Sequence, residues 1–139
     1  MEPKVSEFEF EPLGERQRIP LSSYLIPLYG PPTGSFLLAT DQGRPVGCVA
    51  FREVDADTVE LKRKYVRPDQ RGRGTGVKLV QDLMAVARRQ GRKRMELCSY
   101  HTMTGAHRIY RALGFRDVAA PPDLPPLYHG RDLFMEMDL

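Results

Sequence analysis

Arg71-Gly72-Arg73-Gly74-Thr75-Gly76 alternates three glycines with two arginines and a threonine, between a strand-like run and an amphipathic helical pattern. Glycine takes backbone conformations closed to other residues and lets a ligand approach the main chain. A helix that starts here aims unpaired N–H groups, and the positive end of its dipole, at whatever occupies the loop. Such a mouth binds anions, phosphate above all. Two familiar phosphate loops fail on spacing. No Gly-Lys pair followed by a hydroxyl residue occurs, so there is no Walker loop. A dinucleotide fingerprint counted from Gly72 meets Val77 where its third glycine belongs, and counted from Gly74 meets Leu79.

Outward from the loop, the pattern predicts a mixed, mostly antiparallel α/β sheet. Val5 to Glu11, alternating apolar and acidic from Phe8, reads as a half-buried or edge strand. Between residues 15 and 28 there is room for one short helix, because Pro20 and Pro27 interrupt the segment. Ser35–Thr40 and Pro45–Phe51 are strands joined by a turn at 41–44, and a turn at 53–57 leads to a third strand, Thr58–Val66. Three such strands form a meander that delivers the chain to the glycine loop. From Gly76, Val80, Leu83, Met84 and Ala87 recur at helical spacing, and Gly91 suits a left-handed cap. Met95–Tyr100 is the next strand, so strand, helix and strand imply a parallel pair with a right-handed crossover. A second helix over about residues 104–113 buries Ala106, Ile109, Tyr110 and Leu113. Strands follow over 115–119 and 132–139, separated by a proline-rich loop.

At 139 residues, with 41% apolar and 28% charged side chains, this is one ordinary globular domain spanning 1–139. Residues 19–40 carry no charge, but the prolines and glycines inside them exclude a membrane-spanning helix. The first residues lack the basic-then-apolar layout of a signal peptide. Cys48 and Cys98 lie in apolar runs and read as buried free thiols in a reducing cytoplasm. No metal-ligand spacing links the cysteines to His101, His107 or His129. The net charge of +3 is uneven. Residues 1–60 hold 5 basic and 10 acidic side chains, residues 61–94 hold 12 and 2, and residues 95–139 hold 4 and 6. The central block wants a polyanion. Nucleic acid is the weaker choice, since Tyr65 is the one aromatic between 61 and 94 able to stack on bases.

Arg71, Gly74 and Gly76 fit Arg/Gln-x-x-Gly-x-Gly, and with Val59–Pro68 before and Val77–Val80 after they resemble the acyl-CoA site of the GNAT superfamily of N-acetyltransferases. Ala106 to Phe115 is similar to that superfamily's A-x-x-x-Y-x-x-x-G-F helix and strand. The resemblance covers about residues 35–139. It implies a GNAT-like sheet with a shortened amino-terminal helical segment, leaving the acceptor site open or completed by a second subunit. It implies acetyl-CoA as cosubstrate, a primary amine as acceptor, and direct transfer in a ternary complex. A non-catalytic CoA-binding regulator is the alternative.

The same resemblance assigns the diphosphate to main-chain N–H groups of Arg71, Gly72, Arg73, Gly74, Thr75, Gly76 and Val77. The main chain at Tyr65 and Val66 should pair with the pantetheine arm like an added strand and offer an oxyanion N–H. Tyr110 is the expected general acid, since a phenol with a pKa of about 10 stays protonated at neutral pH. Glu60, eleven residues before Arg71, is the expected base for a protonated amine, with an ion pair to Lys62 or Arg63 as its purely structural role. Ser99, Tyr100 and His101 should face the same region. Met103 stands where many GNATs carry a pantetheine-binding asparagine, so Thr102 or Thr104 is the substitute.

Overall fold

The computed structural model describes residues 3–7, 28–128, 130 and 133–139. Seven strands and two helices alternate along it: β1 (Lys4–Glu7), β2 (Ser35–Asp41), β3 (Arg44–Glu53), β4 (Thr58–Val66), α1 (Thr75–Arg89), β5 (Arg94–Ser99), α2 (Thr104–Ala112), β6 (Arg116–Val118) and β7 (Leu133–Asp138). They form one sheet in the order β1-β2-β3-β4-β5-β7-β6. The β2–β3–β4 meander, the parallel β4–β5 pair across α1, and the mostly antiparallel sheet agree with the expectation. β1 takes the predicted edge. The alternation over Phe8–Glu11 and the short helix within 15–28 lie outside the described residues. The 41–44 turn has positive φ at both Gln42 (51°) and Gly43 (78°), the type I′ geometry whose twist matches a hairpin.

α1 packs Leu79, Val80, Leu83 and Ala87, all fully buried, against Val46, Val49, Phe51, Val59 and Met95 of the sheet. Each such leucine or valine contributes about 1.5–3 kcal/mol. That outweighs the roughly 1 kcal/mol cost of a glycine within a helix, here Gly76. Gln81, Arg88 and Arg89 face solvent, and Lys78 pairs with Asp82 one turn on at 3.1 Å. The helix ends as the sequence suggests. Gly91 is left-handed (φ 79°), its N–H bonds Arg88 O, and Arg92 N–H bonds Ala87 O, the paired pattern that closes a helix through glycine.

α2 ends the same way, which gives the Tyr-x-x-x-Gly-Phe spacing a physical reason. Gly114 (φ 108°) donates to Arg111 O and Phe115 to Tyr110 O. This closure brings the residue after the glycine onto the helix's last turn, and the Phe115 and Tyr110 rings meet at 5.6 Å. Tyr110 is buried as expected, but His107 is buried with it, while Ala106, Ile109 and Leu113 are only partly covered. Cys48 and Cys98 are half-buried rather than buried.

Two irregularities in β4 shape the site. Its pairing with β5 stops at Glu60–Glu96, so the strands part beyond that rung. Between Cys48 and Ala50 of β3, the facing stretch of β4 carries one extra residue, with Arg63 left-handed at φ 56°. A bulge of this kind re-aims the side chains beyond it. In uninterrupted alternation Lys64 would share a face with Glu60 and Lys62. The bulge turns it to the helix side instead.

Candidate active site

The glycine loop joins the end of β4 to α1 through a single 3₁₀ turn, Pro68–Gln70. Gly72 and Gly74 are left-handed (φ 80° and 81°), and Gly74 caps α1 with no side-chain hydrogen bond. The first intrahelical bond is Lys78 N–H to Gly74 O at 3.0 Å, so the N–H groups of Thr75, Gly76 and Val77 have no partner within the helix. No acidic residue occupies the first turn. Thr75 is 2% exposed and its Oγ1 is buried without a hydrogen-bond partner. A buried hydroxyl left alone costs about 1–3 kcal/mol.

These groups open on a cleft of about 630 Å³ that runs between the N-termini of α1 and α2 and along the far half of β4. Nine of the ten residues read from sequence as cofactor contacts line it. Arg73 is the exception and donates to Gln70 Oε1 at 3.1 Å. Arg71 donates from Nε to Val66 O at 3.0 Å, tying the loop to the strand, and lies 5.9 Å from the Tyr65 ring. Of the two main-chain positions expected to meet a pantetheine arm, one faces the gap. Arg67 N–H bonds Val46 O of β3, so alternation turns Val66 to the open edge and Tyr65 back to β3. Thr102, Met103 and Thr104 all border the cleft at the start of α2.

A model of the Acetyltransferase (GNAT) family matches residues 3–115. The chain belongs to the GNAT acetyltransferase family. A Schizosaccharomyces pombe protein named as an uncharacterized N-acetyltransferase is 37% identical over 103 residues, covering 73% of this chain and 60% of that one. N-acetylaspartate synthetase of Danio rerio is 36% identical over 97 residues, covering 68% and 34%. An acetyltransferase of Salmonella typhimurium, solved with its cofactor acetyl-CoA, superposes with a TM-score of 0.64 at 29% identity over 76% of this chain and 65% of that one. This GNAT chain thus spans less than two thirds of each of these proteins.

Around the cleft, the GNAT chain's titratable groups have distinct surroundings. Tyr110 is 6% exposed and is not among the residues lining the cleft, and burial pushes its phenol up to about 12. Lys64 Nζ lies 5.2 Å from that ring's centre and close against Gly76. Burial, and then the charge of Arg71, hold the Lys64 ammonium below the ordinary lysine range. Sequence periodicity gives no sign of this lysine's role, because only the bulge brings it here.

Glu60 lies elsewhere, on the opposite sheet face, buried and at the rung where β4 and β5 part. Its Oε1 receives Arg52 Nε at 3.0 Å, Lys62 Nζ at 3.0 Å and the Tyr128 hydroxyl at 3.3 Å. The pairing with Lys62 fits the structural role read from sequence, whereas Arg63 donates to the Tyr29 hydroxyl instead. Ser99 faces the core and shares a 3.1 Å hydrogen bond with His107. Tyr100 and His101 are exposed and line neither this cleft nor the cavity beside Glu60. Among the described residues no group of three metal-ligating side chains is present.

Proposed function

We propose that this GNAT chain transfers an acetyl group from acetyl-CoA to a primary amine, by direct attack within a ternary complex. The observation that carries the reading is the open mouth of α1, where Thr75, Gly76 and Val77, whose N–H groups have no partner within the helix, line one cleft. That donor set suits a diphosphate, and the Salmonella relative named with acetyl-CoA supports the same ligand. Acetyl-CoA, when bound, supplies the acetyl thioester. The chain's own groups hold and orient it: the α1 mouth at the diphosphate, the Val66 main chain along the arm, and Thr102 or Thr104 where an asparagine is replaced by Met103.

Tyr110 serves as a hydrogen-bond donor to the departing sulfur. With its phenol at about 12 it stays protonated throughout the working range, and it is a reluctant acid. Tyr110→Phe should therefore lower kcat by about 10–100-fold, at the lower end for such groups, with acetyl-CoA affinity unchanged within twofold. Stopped-assay thiol release and calorimetric titration of the same preparation check both halves. An unchanged kcat removes Tyr110 from the chemistry. A second reading, a CoA-binding domain without turnover, draws on the three donors around Oε1 of Glu60. Thiol release above solvent hydrolysis with any amine rejects it.

A further inference from the structure

A second cavity, of about 370 Å³, lies against the sheet face turned away from α1, beneath the segment that links β6 to β7. One rung of five paired residues crosses its floor. Arg52 pairs with Glu60, Glu60 with Glu96, Glu96 with Glu136, and Glu136 with Arg116. Period-two alternation puts all five on the same face. The outer carboxylates are neutralised. Glu60 has Arg52, Lys62 and Tyr128, and Glu136 has Arg116 at 2.9 Å and Arg94 at 3.8 Å. Glu96, between them, has no ion pair or hydrogen bond to a side chain among the described residues, and it is half-buried in the cavity wall.

The rest of the lining is largely apolar: Val118, Ala119, Leu124, Pro125 and Phe134. The Glu60–Glu96 rung is also the last before β4 and β5 part; Leu97 and Cys98 of this lining lie beyond it on β5, and Lys64, Tyr65 and Val66 of the cofactor cleft lie beyond it on β4. We propose that this cavity is the acceptor site, that Glu96 receives the acceptor's ammonium and takes its proton, and that the acceptor is an amine on an apolar body. This rests on the acetyl-transfer reading above. One unpaired carboxylate complements one ammonium, and the apolar lining suits an acceptor body that carries no carboxylate of its own.

The proton account balances. Glu96 takes one proton from R–NH₃⁺ and later yields it to solvent. The freed amine's electron pair forms the C–N bond at the thioester carbonyl carbon, the C–S bond breaks, and its pair leaves on sulfur. The nitrogen's second proton ends on that sulfur as the free thiol. Burial, then the charge of Glu60, raise the Glu96 carboxyl, and Glu136 adds to this while Arg94 and Arg52 oppose it. A raised carboxyl is a stronger proton acceptor, and it predicts a rate that falls as pH drops through a value above the ordinary carboxylate range.

The test is thiol release from acetyl-CoA by the full chain, with phenethylamine and L-aspartate as probes, for wild type and Glu96→Gln. Wild type should favour phenethylamine at least tenfold in kcat/KM. Glu96→Gln should lower kcat at least hundredfold and abolish the acid limb of the pH profile, while the acetyl-CoA thermal shift persists. Equal or better turnover of aspartate overturns the inference, as does a Glu96→Gln variant that keeps its acid limb and its kcat within threefold. If Glu96→Gln melts early, the wild-type preference between the two probes still decides. A wild type that binds acetyl-CoA and acetylates neither probe also overturns it, whereas failure to bind acetyl-CoA overturns the underlying reading instead.

Discussion

Gly74→Val should weaken acetyl-CoA binding at least hundredfold while the sheet and both helices persist. Gly74 holds φ at 81° and caps α1. A β-branched residue in the left-handed region costs about 1–3 kcal/mol. The chain can bear the strain or relieve it by turning the cap, and relief rotates the Thr75, Gly76 and Val77 N–H groups off their common target. Nothing lies within 4 Å of a Cβ built at Gly74, so the penalty comes from backbone conformation and not from crowding. Gly76 offers the contrast. The nearest atoms to a Cβ there are Lys64 Cε at 3.3 Å, Ile109 Cδ1 at 3.4 Å and Lys64 Nζ at 3.4 Å, the ends of flexible side chains. Gly76→Ala should therefore fold at least as well as wild type. Calorimetric titration with circular dichroism separates the two variants, and equal affinity for Gly74→Val and wild type would show that the loop's backbone geometry does not hold the ligand.

Arg92→Ala should cost about 2–3 kcal/mol of stability, because it removes a buried guanidinium that donates to several oxygens at once. Arg92 is 8% exposed at the closure of α1. Its guanidinium donates to Asp55 O (3.0 Å), Ala56 O (3.1 Å), Thr33 O (3.1 Å) and Gln90 Oε1 (3.3 Å), and pairs with Glu53 Oε2 at 2.7 Å. It thereby joins the β3–β4 turn, the segment entering β2 and the end of the helix. Glu53 is 38% exposed, so solvent screens its charge and the ion pair is the smaller part. Three main-chain carbonyls left without their donor are the larger part. For a chain of this size the loss corresponds to a fall in Tm of roughly 10 °C. Arg92→Lys keeps the charge without the planar fork and should lose about half as much. A loss under about 1 kcal/mol for Arg92→Ala would mean that water replaces the guanidinium without cost.

Local chemistry was legible and long-range pairing was not. The Thr58–Val66 strand, the glycine loop and the closing residues Gly91 and Gly114 depend on neighbours a few positions away, so spacing alone places them. Lys64 depends on a one-residue bulge opposite Cys48 and Ala50, and period-two alternation puts it on the wrong face. Glu96 is plainly a polar position in an apolar strand. Its importance arises because Glu60 and Glu136 flank it, and β7 reaches that place by entering between β5 and β6. Tyr128, which completes the Glu60 cluster, is 68 residues away from it in the chain. No periodicity connects residues that far apart. The resemblance proposes a cofactor mouth and Glu60 as base, and a motif carries no information on how many cations surround a carboxylate.

The most direct test of the α1 mouth as the cofactor's anchor is a crystal structure of this chain with CoA. The account predicts diphosphate oxygens about 2.7–3.2 Å from the main-chain nitrogens of Thr75, Gly76 and Val77, with Thr75 Oγ1 hydrogen-bonded to one of them. A diphosphate held by surface lysines or arginines away from α1, with Thr75 Oγ1 still alone, would contradict it.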